Sequence, residues 1–462
     1  MDNAWRSAGM LLCLAVGSAA AQPASETQNL RSELDALRKD YESRIQALEQ
    51  RLKAAETALT APMPAPAAVA APGPEAAPAV AAAPPGRTQS GVTPDISLIL
   101  SGGYNRTSRD PATYRIRGFS LPTDAETGPG TRGFTLGETE LSLSASVDPY
   151  FRGVATFAIA PDDSIGVEEA YVQTTALGNG LTVKGGRFLS GIGYLNSLHP
   201  HSWDFIDAPL AYQALLGGQY GDDGLQFTWL APTDRFVQLR AEVTRGAGYP
   251  GSDAAGNGAG AFTLSAHTGG DIGDSHSWRA GLSFLRARAG GQELGARDPA
   301  GNDIINSFTG TTRMWIADGV WRWAPGGNAK QTHFKLQGEY LQARREGDAV
   351  VDTEGAAAPG SFRSVQSGWY LQGVYQFTPG WRIGLRTERL RPGTTDYGVN
   401  AGLVGSDSGN PRKNTLLLEH SPSEFSRVRL QVAQDRARPG PSDLQWMLQY
   451  QMSLGAHGAH GF

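Results

Sequence analysis

The sequence predicts an all-β fold: a transmembrane antiparallel β-barrel of about sixteen strands, preceded by a short α-helical coiled coil. Two observations in residues 90–462 predict the barrel. Apolar and polar residues alternate in many segments, several of them about as long as the roughly 9–11 residues that cross a membrane as a tilted strand. Short turns also alternate with long polar stretches, as in a barrel with tight turns at one end and loops at the other.

Composition excludes several other classes of protein. The chain has 462 residues, a net charge of −5 and one cysteine, Cys13. The negative charge argues against a nucleic-acid-binding protein. No apolar run near 20 residues follows the N-terminal stretch, which argues against membrane-spanning helices. Removal of that stretch would leave a chain without disulfides or cysteine-based metal sites.

Residues 1–21 are predicted to be a secretory signal peptide. Arg6 supplies its positive charge, residues 10–16 form a short apolar core, and three alanines precede Gln22. A short membrane anchor is the alternative, although the apolar run spans less than half a bilayer.

Residues 26–59 are predicted to form a periplasmic coiled coil, and residues 60–89 an Ala/Pro-rich linker. From Leu30 to Leu59 the apolar residues recur at steps of three and four, with one additional step of four that would locally unwind a supercoil. Such a helix would associate with copies of itself or contact the cell wall; a single amphipathic helix is the alternative. The linker would be an extended, semi-rigid spacer.

Residues 90–462 carry the alternation that predicts the barrel. Apolar residues hold one parity and charged or glutamine residues the other, for example in segments 237–243, 334–340, 381–386, 427–432 and 444–454. Aromatic residues cluster near segment ends, as expected for interfacial girdles. The apolar side is predicted to contact the lipid of the outer membrane, and the polar side to line the lumen.

The sequence around residues 167–188 resembles a known family. Glu168-Glu169-Ala170-Tyr171, followed by a strand and then Gly186-Arg187-Phe188, is similar to a pattern of the phosphate-selective porin O and P family. That resemblance implies a sixteen-stranded, usually trimeric, anion-preferring outer-membrane channel. The family's pore lysines are mostly absent here, since residues 90–462 contain four lysines and 28 arginines.

Nine residues on the polar parity are predicted to line the pore. Guanidinium and ammonium groups in a lumen attract anions, whereas glutamates on the same face could neutralise them in an ion-pair network. The predicted pore-lining residues are Lys184, Arg240, Glu242, Lys335, Glu339, Arg382, Arg386, Arg427 and Arg429.

A long insertion around residues 191–224 is the most distinctive stretch. His199, His201, Asp204 and Asp207 are predicted to form a constriction or a metal site, because two imidazoles of an H-x-H pair can bind one Zn²⁺ with carboxylates as further ligands. The stretch is also similar to outer-membrane barrels loosely described as TonB-dependent or zinc-linked receptors. A structural loop packed on the barrel wall is the alternative. A second histidine pair, His457 and His460, could also bind metal.

The sequence therefore predicts a non-enzymatic outer-membrane channel for passive diffusion of small hydrophilic solutes or ions. No Walker loop, G-x-S-x-G or H-E-x-x-H motif occurs. A homotrimer held by the coiled coil and the barrel is expected. Two other functions remain open: a ligand-specific receptor, possibly for zinc, and a tether between the outer membrane and the cell wall.

Overall fold

A computed structural model describes residues 94–455 apart from residues 124, 126, 138, 161–163, 253–257 and 407–408. The predicted signal peptide, coiled coil and linker, and the His457/His460 pair, lie outside the described residues. Within the described ranges, no helix is both long enough and apolar enough to span a membrane.

The described residues form one antiparallel sheet that closes on itself. β1 pairs with β17 from Ser97↔Gly455 to Thr107↔Gln445, and from β3 onward each strand pairs with the next one in the chain. β2 and β3 both pair with β1 and form one interrupted wall strand, so the barrel described here has sixteen wall strands, as predicted. The strands are β1 Asp95–Thr107, β2 Gly133–Leu136, β3 Thr139–Ser146, β4 Phe151–Ile159, β5 Ile165–Thr174, β6 Leu181–Leu189, β7 Gly221–Leu230, β8 Phe236–Thr244, β9 Ala261–Ile272, β10 His276–Arg297, β11 Asp303–Trp323, β12 His333–Val351, β13 Ala358–Thr378, β14 Trp381–Asp396, β15 Arg412–Ser423, β16 Ser426–Asp435 and β17 Asp443–Gly455.

The wall is apolar outside and polar inside. In β17, Leu444, Trp446 and Leu448 are exposed on the outer surface, whereas Asp443 and Gln445 are buried inside. Because side chains alternate between the two faces of a strand, this pattern repeats around the barrel. The sequence prediction of an outward apolar face and an inward polar face is confirmed.

Outward aromatic residues and arginines mark the upper edge of the apolar band. Phe284 of β10 and Trp315 of β11 pack with ring centroids 4.8 Å apart. Two residues nearer the end with long loops on each strand, Arg286 and Arg313 lie directly opposite each other, and Arg313 in turn lies opposite Arg344. The outer surface therefore changes from apolar to basic over two positions along each of these strands.

Several strands continue beyond the apolar band, which corrects the predicted loops. The sequence predicts long loops at residues 288–310, 345–361 and 391–410, but β10 extends to Arg297, β12 to Val351 and β14 to Asp396. Outside the membrane both faces of a strand can be polar, so the alternation that marks a strand disappears while backbone pairing continues.

Two long connections at the end of the barrel with long loops pack inside it. One is residues 108–132, which carry the buried residues Ile116 and Phe119. The other is residues 190–220, called the lumenal segment below. It contains 3₁₀ turns at Leu195–Ser197 and Pro200–Ser202 and one helix, α1, at Leu210–Leu216.

Candidate functional site

The helix of the lumenal segment is apolar except for Gln213 and is completely buried. Pro209 precedes its first turn, and Gly217, with φ of 69°, ends it in the left-handed conformation that glycine adopts most easily. Seven residues are too few for a stable isolated helix, so packing must hold it. Leu210 and Leu215 belong to the same buried cluster as the wall residue Leu341, among others.

Inward-facing glutamates hold the backbone of the lumenal segment at its first residues and at the start of α1. Glu242 of β8 accepts a hydrogen bond from the Gly191 amide at 2.8 Å. Glu388 of β14 accepts one from the Leu210 amide at 2.5 Å. These amides sit at a loop start and a helix start, where they have no partner in regular structure.

Glu339 of β12 anchors the middle of the segment. Its carboxylate accepts hydrogen bonds from the Leu195 amide at 2.9 Å, the Tyr212 hydroxyl at 2.9 Å and the Tyr370 hydroxyl at 2.6 Å. Glu242 and Glu339, two of the residues predicted to line the pore, therefore face inward and are covered by the segment.

Asp204 joins the segment to a basic part of the wall. Its carboxylate lies 3.0 Å from Lys335 and 3.3 Å from Arg382, and Arg382 also pairs with Glu419 at 2.6 Å. Burial alone would raise the pKa of Asp204, but the charges of Lys335 and Arg382 outweigh it and hold this pKa well below its usual range. Asp204 is thus a carboxylate paired with cations.

Asp207 makes a second ionic attachment. It lies 2.7 Å from Arg386 of β14, accepts a hydrogen bond from Gln431 at 2.7 Å and pairs with Lys413 of β15. Arg386 also contacts Glu388 at 2.7 Å. Burial raises the pKa of Asp207, but Lys413 and Arg386 together lower it below the ordinary value.

Arg427 and Arg429 of β16 bind main-chain carbonyls of the segment. Arg429 donates to the carbonyl of Trp203 at 2.7 Å, and Arg427 donates to that of His201. These two predicted pore-lining residues, like Lys335, Arg382 and Arg386, face inward and position the segment.

His199 lies in a pocket of carboxylates. Its Nδ1 is 3.2 Å from Glu168 and 3.3 Å from Glu140, and its Nε2 is 3.0 Å from Glu169. Burial alone would lower the pKa of His199, but its hydrogen bonds to the three glutamates raise that pKa well above the ordinary value. His201 stacks on His199 with ring centroids 5.5 Å apart.

The histidine pair and the two aspartates therefore occupy different places. His199 and His201 meet glutamates of β3 and β5, whereas Asp204 and Asp207 meet cations of β12, β14 and β15. The structure does not bring the four residues together: the aspartates pair with lysine and arginine, and the histidines contact other carboxylates.

A β-bulge brings Glu168 and Glu169 to the same histidine. In the pairing of β4 with β5, Thr156 faces Glu169 and Phe157 faces Val167, so Glu168 is the additional residue. Neighbouring residues of a regular strand point to opposite faces, and a bulge removes that restriction. Sequence reasoning named neither this role nor Glu140; the acidic pair was the available signal.

Other inward cations lie in the half of the barrel near the short turns. Arg240 donates to Thr228 at 3.2 Å and packs closely on Gly191, where an added Cβ would lie 1.4 Å from its guanidinium. Lys184 lies 4.0 Å from the ring centroid of Tyr171. Arg279 and Arg322, which were not among the predicted pore-lining residues, share the inward parity of β10 and β11 and are partly exposed.

A cavity of about 1400 Å³ lies at the other end of the barrel. It is bordered by residues between Pro111 and Thr123, by Ala125 and Thr127, by the ends of β10 and β11 and by the connection after β14. Arg297 and Arg345 are among its lining residues. Tyr114, Ile116 and Phe119 line it too and belong to or pack against the apolar cluster that includes α1, so that cluster forms its floor.

A closed wall with an apolar outside, a polar inside and a lumenal segment bound to its inner face defines a transmembrane β-barrel of the outer-membrane type. An uncharacterized protein of Aquifex aeolicus is 31% identical to the chain over 405 residues, covering 81% of each protein. The chain belongs to the same family as this protein.

No family model matches the chain. Solved structures with similar backbones include OmpT, an outer membrane protein of Vibrio cholerae (TM-score 0.49, 12% identity, 79% of this chain and 99% of that one). Another is the outer membrane channel DcaP of Acinetobacter baumannii (TM-score 0.46, 14% identity, 80% of this chain and 99% of that one). A third is the anion-selective porin of Comamonas acidovorans (TM-score 0.49, 12% identity, 79% of this chain and 100% of that one).

Proposed function

We propose that the protein is an outer-membrane channel for passive diffusion of small hydrophilic solutes, in which the lumenal segment forms the constriction. The observation that carries the proposal is the attachment of this segment to inward-facing charged residues of β8, β12, β14 and β16. A sixteen-stranded barrel encloses more space than side chains alone fill. A segment fixed to the wall would narrow that space to a defined opening.

Inward cations near the short-turn end would favour anions. Arg240, Arg279 and Arg322 are each partly exposed on the inner face. A low-dielectric wall strengthens the potential of such charges, which would raise the local concentration of anions. The carboxylates of Asp204, Asp207 and other residues are already paired with separate cations and would oppose this field less.

Conductance in a planar bilayer under a KCl gradient tests the proposal. The refolded chain from residue 22 is expected to give ohmic steps with a reversal potential that indicates anion preference. Arg240→Gln with Arg279→Gln should shift that potential towards cations, because two lumenal charges are removed. The matched control is Arg235→Gln, in the exposed turn before β8. A correctly folded barrel that does not conduct would refute the channel.

A further inference from the structure

Glu140, His199 and His201 bring three potential metal-ligand atoms within 4.8 Å of one another. Glu140 lies between the two rings: one carboxylate oxygen is 3.3 Å from Nδ1 of His199 and the other is 2.7 Å from Nδ1 of His201. Ligand atoms bound tetrahedrally to one Zn²⁺ are about 3.3 Å apart, given metal–ligand bonds of about 2.0–2.1 Å. The observed spacing therefore needs only small side-chain movements to bind a cation.

We propose that Glu140, His199 and His201 form a binding site for one divalent transition-metal cation of the zinc type. Two imidazole nitrogens and one carboxylate oxygen are a donor set that suits Zn²⁺. The site is independent of whether the barrel conducts.

The neighbouring glutamates provide the outer shell that such sites have. A metal-bound histidine usually donates its second ring N–H to a carboxylate, which fixes the orientation of the ring. Nε2 of His199 lies 3.0 Å from Glu169. Glu168 is 3.2 Å from Nδ1 of the same ring and could provide a fourth ligand.

Charge also favours a cation here. Glu140, Glu168 and Glu169 place three carboxylates around two imidazoles, and the side chain of Glu140 is 1% exposed. Carboxylates buried together are costly unless cations compensate them. Metal binding would join β3, through Glu140, to the lumenal segment at His199 and His201.

Calorimetric titration of the refolded chain from residue 22 with Zn²⁺ is the test. We expect one Zn²⁺ per chain, and affinity at least tenfold weaker in His199→Ala, His201→Ala and Glu140→Gln. The matched control is the double variant His457→Ala with His460→Ala, which should bind as the wild type does. Binding that survives the first three substitutions, or that is lost in the control, would overturn the site.

Variants that fail to fold are recognised by loss of heat-modifiable migration in electrophoresis. For that case Co²⁺ is titrated into the wild-type protein. A visible absorption band of a four- or five-coordinate Co²⁺ ion, displaced by one equivalent of Zn²⁺, is expected. If the absorption spectrum remains identical to that of Co²⁺ in water, the proposal is overturned without the need for any variant.

An independent feature on the outside of the barrel is a row of arginines just above the apolar band. Arg286, Arg313 and Arg344 lie opposite one another across neighbouring strands, and Arg389 lies opposite Arg412. All five are exposed on the outer face. Like charges directly opposite in a sheet destabilise it, so anions bound to the row would stabilise this part of the wall.

We infer that this row binds the phosphate groups of anionic lipids in the outer leaflet. The inference rests on the proposed outer-membrane location, in which the end with long loops faces outward. Guanidinium groups bind phosphate through paired hydrogen bonds. Glu346, which contacts Arg313 at 3.2 Å and Arg344 at 2.6 Å, compensates the row only in part.

Thermal unfolding in detergent micelles with bis-phosphorylated or dephosphorylated lipid A tests the inference. The phosphorylated lipid should raise the wild-type midpoint more, and the triple variant Arg286→Gln, Arg313→Gln, Arg344→Gln should lose that difference. Arg297→Gln, on the same strand as Arg286 but beyond the row, is the control. Equal responses of wild type and triple variant would overturn the inference. Insertion into phosphatidylcholine vesicles tests membrane location separately.

Discussion

Asp207 of the lumenal segment lies 2.7 Å from Arg386 of β14, and this buried ion pair joins the segment to the wall. Removing one partner of a buried pair leaves an uncompensated charge and costs about 3–5 kcal/mol. Asp207→Asn keeps the shape of the side chain and removes its charge. We expect the segment to detach intermittently, which single-channel recording would show as noisier current with larger steps.

The control for that substitution is Asp303→Asn. Asp303 pairs with Arg297 at 2.7 Å, but its side chain is 83% exposed, and exposed pairs contribute about 0–1 kcal/mol. Its current should equal that of the wild type. If Asp207→Asn also leaves the current unchanged, the ion pair does not hold the segment.

Packing of α1 is expected to matter as much as its ionic contacts. Leu215 is fully buried, and truncation of such a leucine costs about 2–5 kcal/mol through lost burial and the cavity left behind. Leu215→Ala should therefore make the amides of residues 190–220 exchange hydrogen faster. Leu177→Ala, in an exposed turn, should leave this exchange unchanged. Unchanged protection in Leu215→Ala would show that α1 does not stabilise the segment.

The position of the apolar band predicts where charge is tolerated on the outer face. Leu385 of β14 is exposed outward within the band, whereas Thr395 lies on the same strand beyond outward Arg389. An arginine near the bilayer midplane costs about 2–4 kcal/mol, and much less outside it. Leu385→Arg should lower the midpoint of urea unfolding in lipid vesicles, and Thr395→Arg should not. Equal midpoints would contradict the assigned band.

Acid should break the ion pairs of Asp204 only at extreme pH. Lys335 and Arg382 hold the pKa of Asp204 below the ordinary value, with Arg427 and Arg429 of β16 and Gln372 of β13 also facing it. A depressed folded pKa gives stability that is complete above the unfolded value, about 3.9, and is lost as pH falls through the folded value. The carbon-13 chemical shift of the Asp204 carboxyl group, assigned with Asp204→Asn, should stay constant from pH 7 to pH 4.5. A transition near pH 4 would contradict this ion pairing.

The barrel wall was predictable because alternation in segments such as 444–454 reports directly on two unlike faces. Strand ends were not, since β10 continues to Arg297 through Gly290-Gly291-Gln292-Glu293, where the apolar and polar residues no longer alternate. The segment carrying His199 was recognisable by composition. The glutamate partners of His199 could not be predicted. Glu140 and Glu168 lie on strands that are distant from it in sequence, and a β-bulge turns the side chain of Glu168 towards it. Such contacts depend on how the segment packs in three dimensions.

The most direct test uses the predicted mature chain, which would contain no cysteine once Cys13 is removed with the signal peptide. Arg240→Cys places a single thiol on the inner face beside Gly191, and Arg235→Cys places one in the exposed turn. Channel current is recorded while a charged thiol reagent is added. We predict that modification at position 240 reduces the current and modification at position 235 does not. A current that is unaffected by modification at position 240, or a folded barrel without current, would contradict a solute path past the lumenal segment.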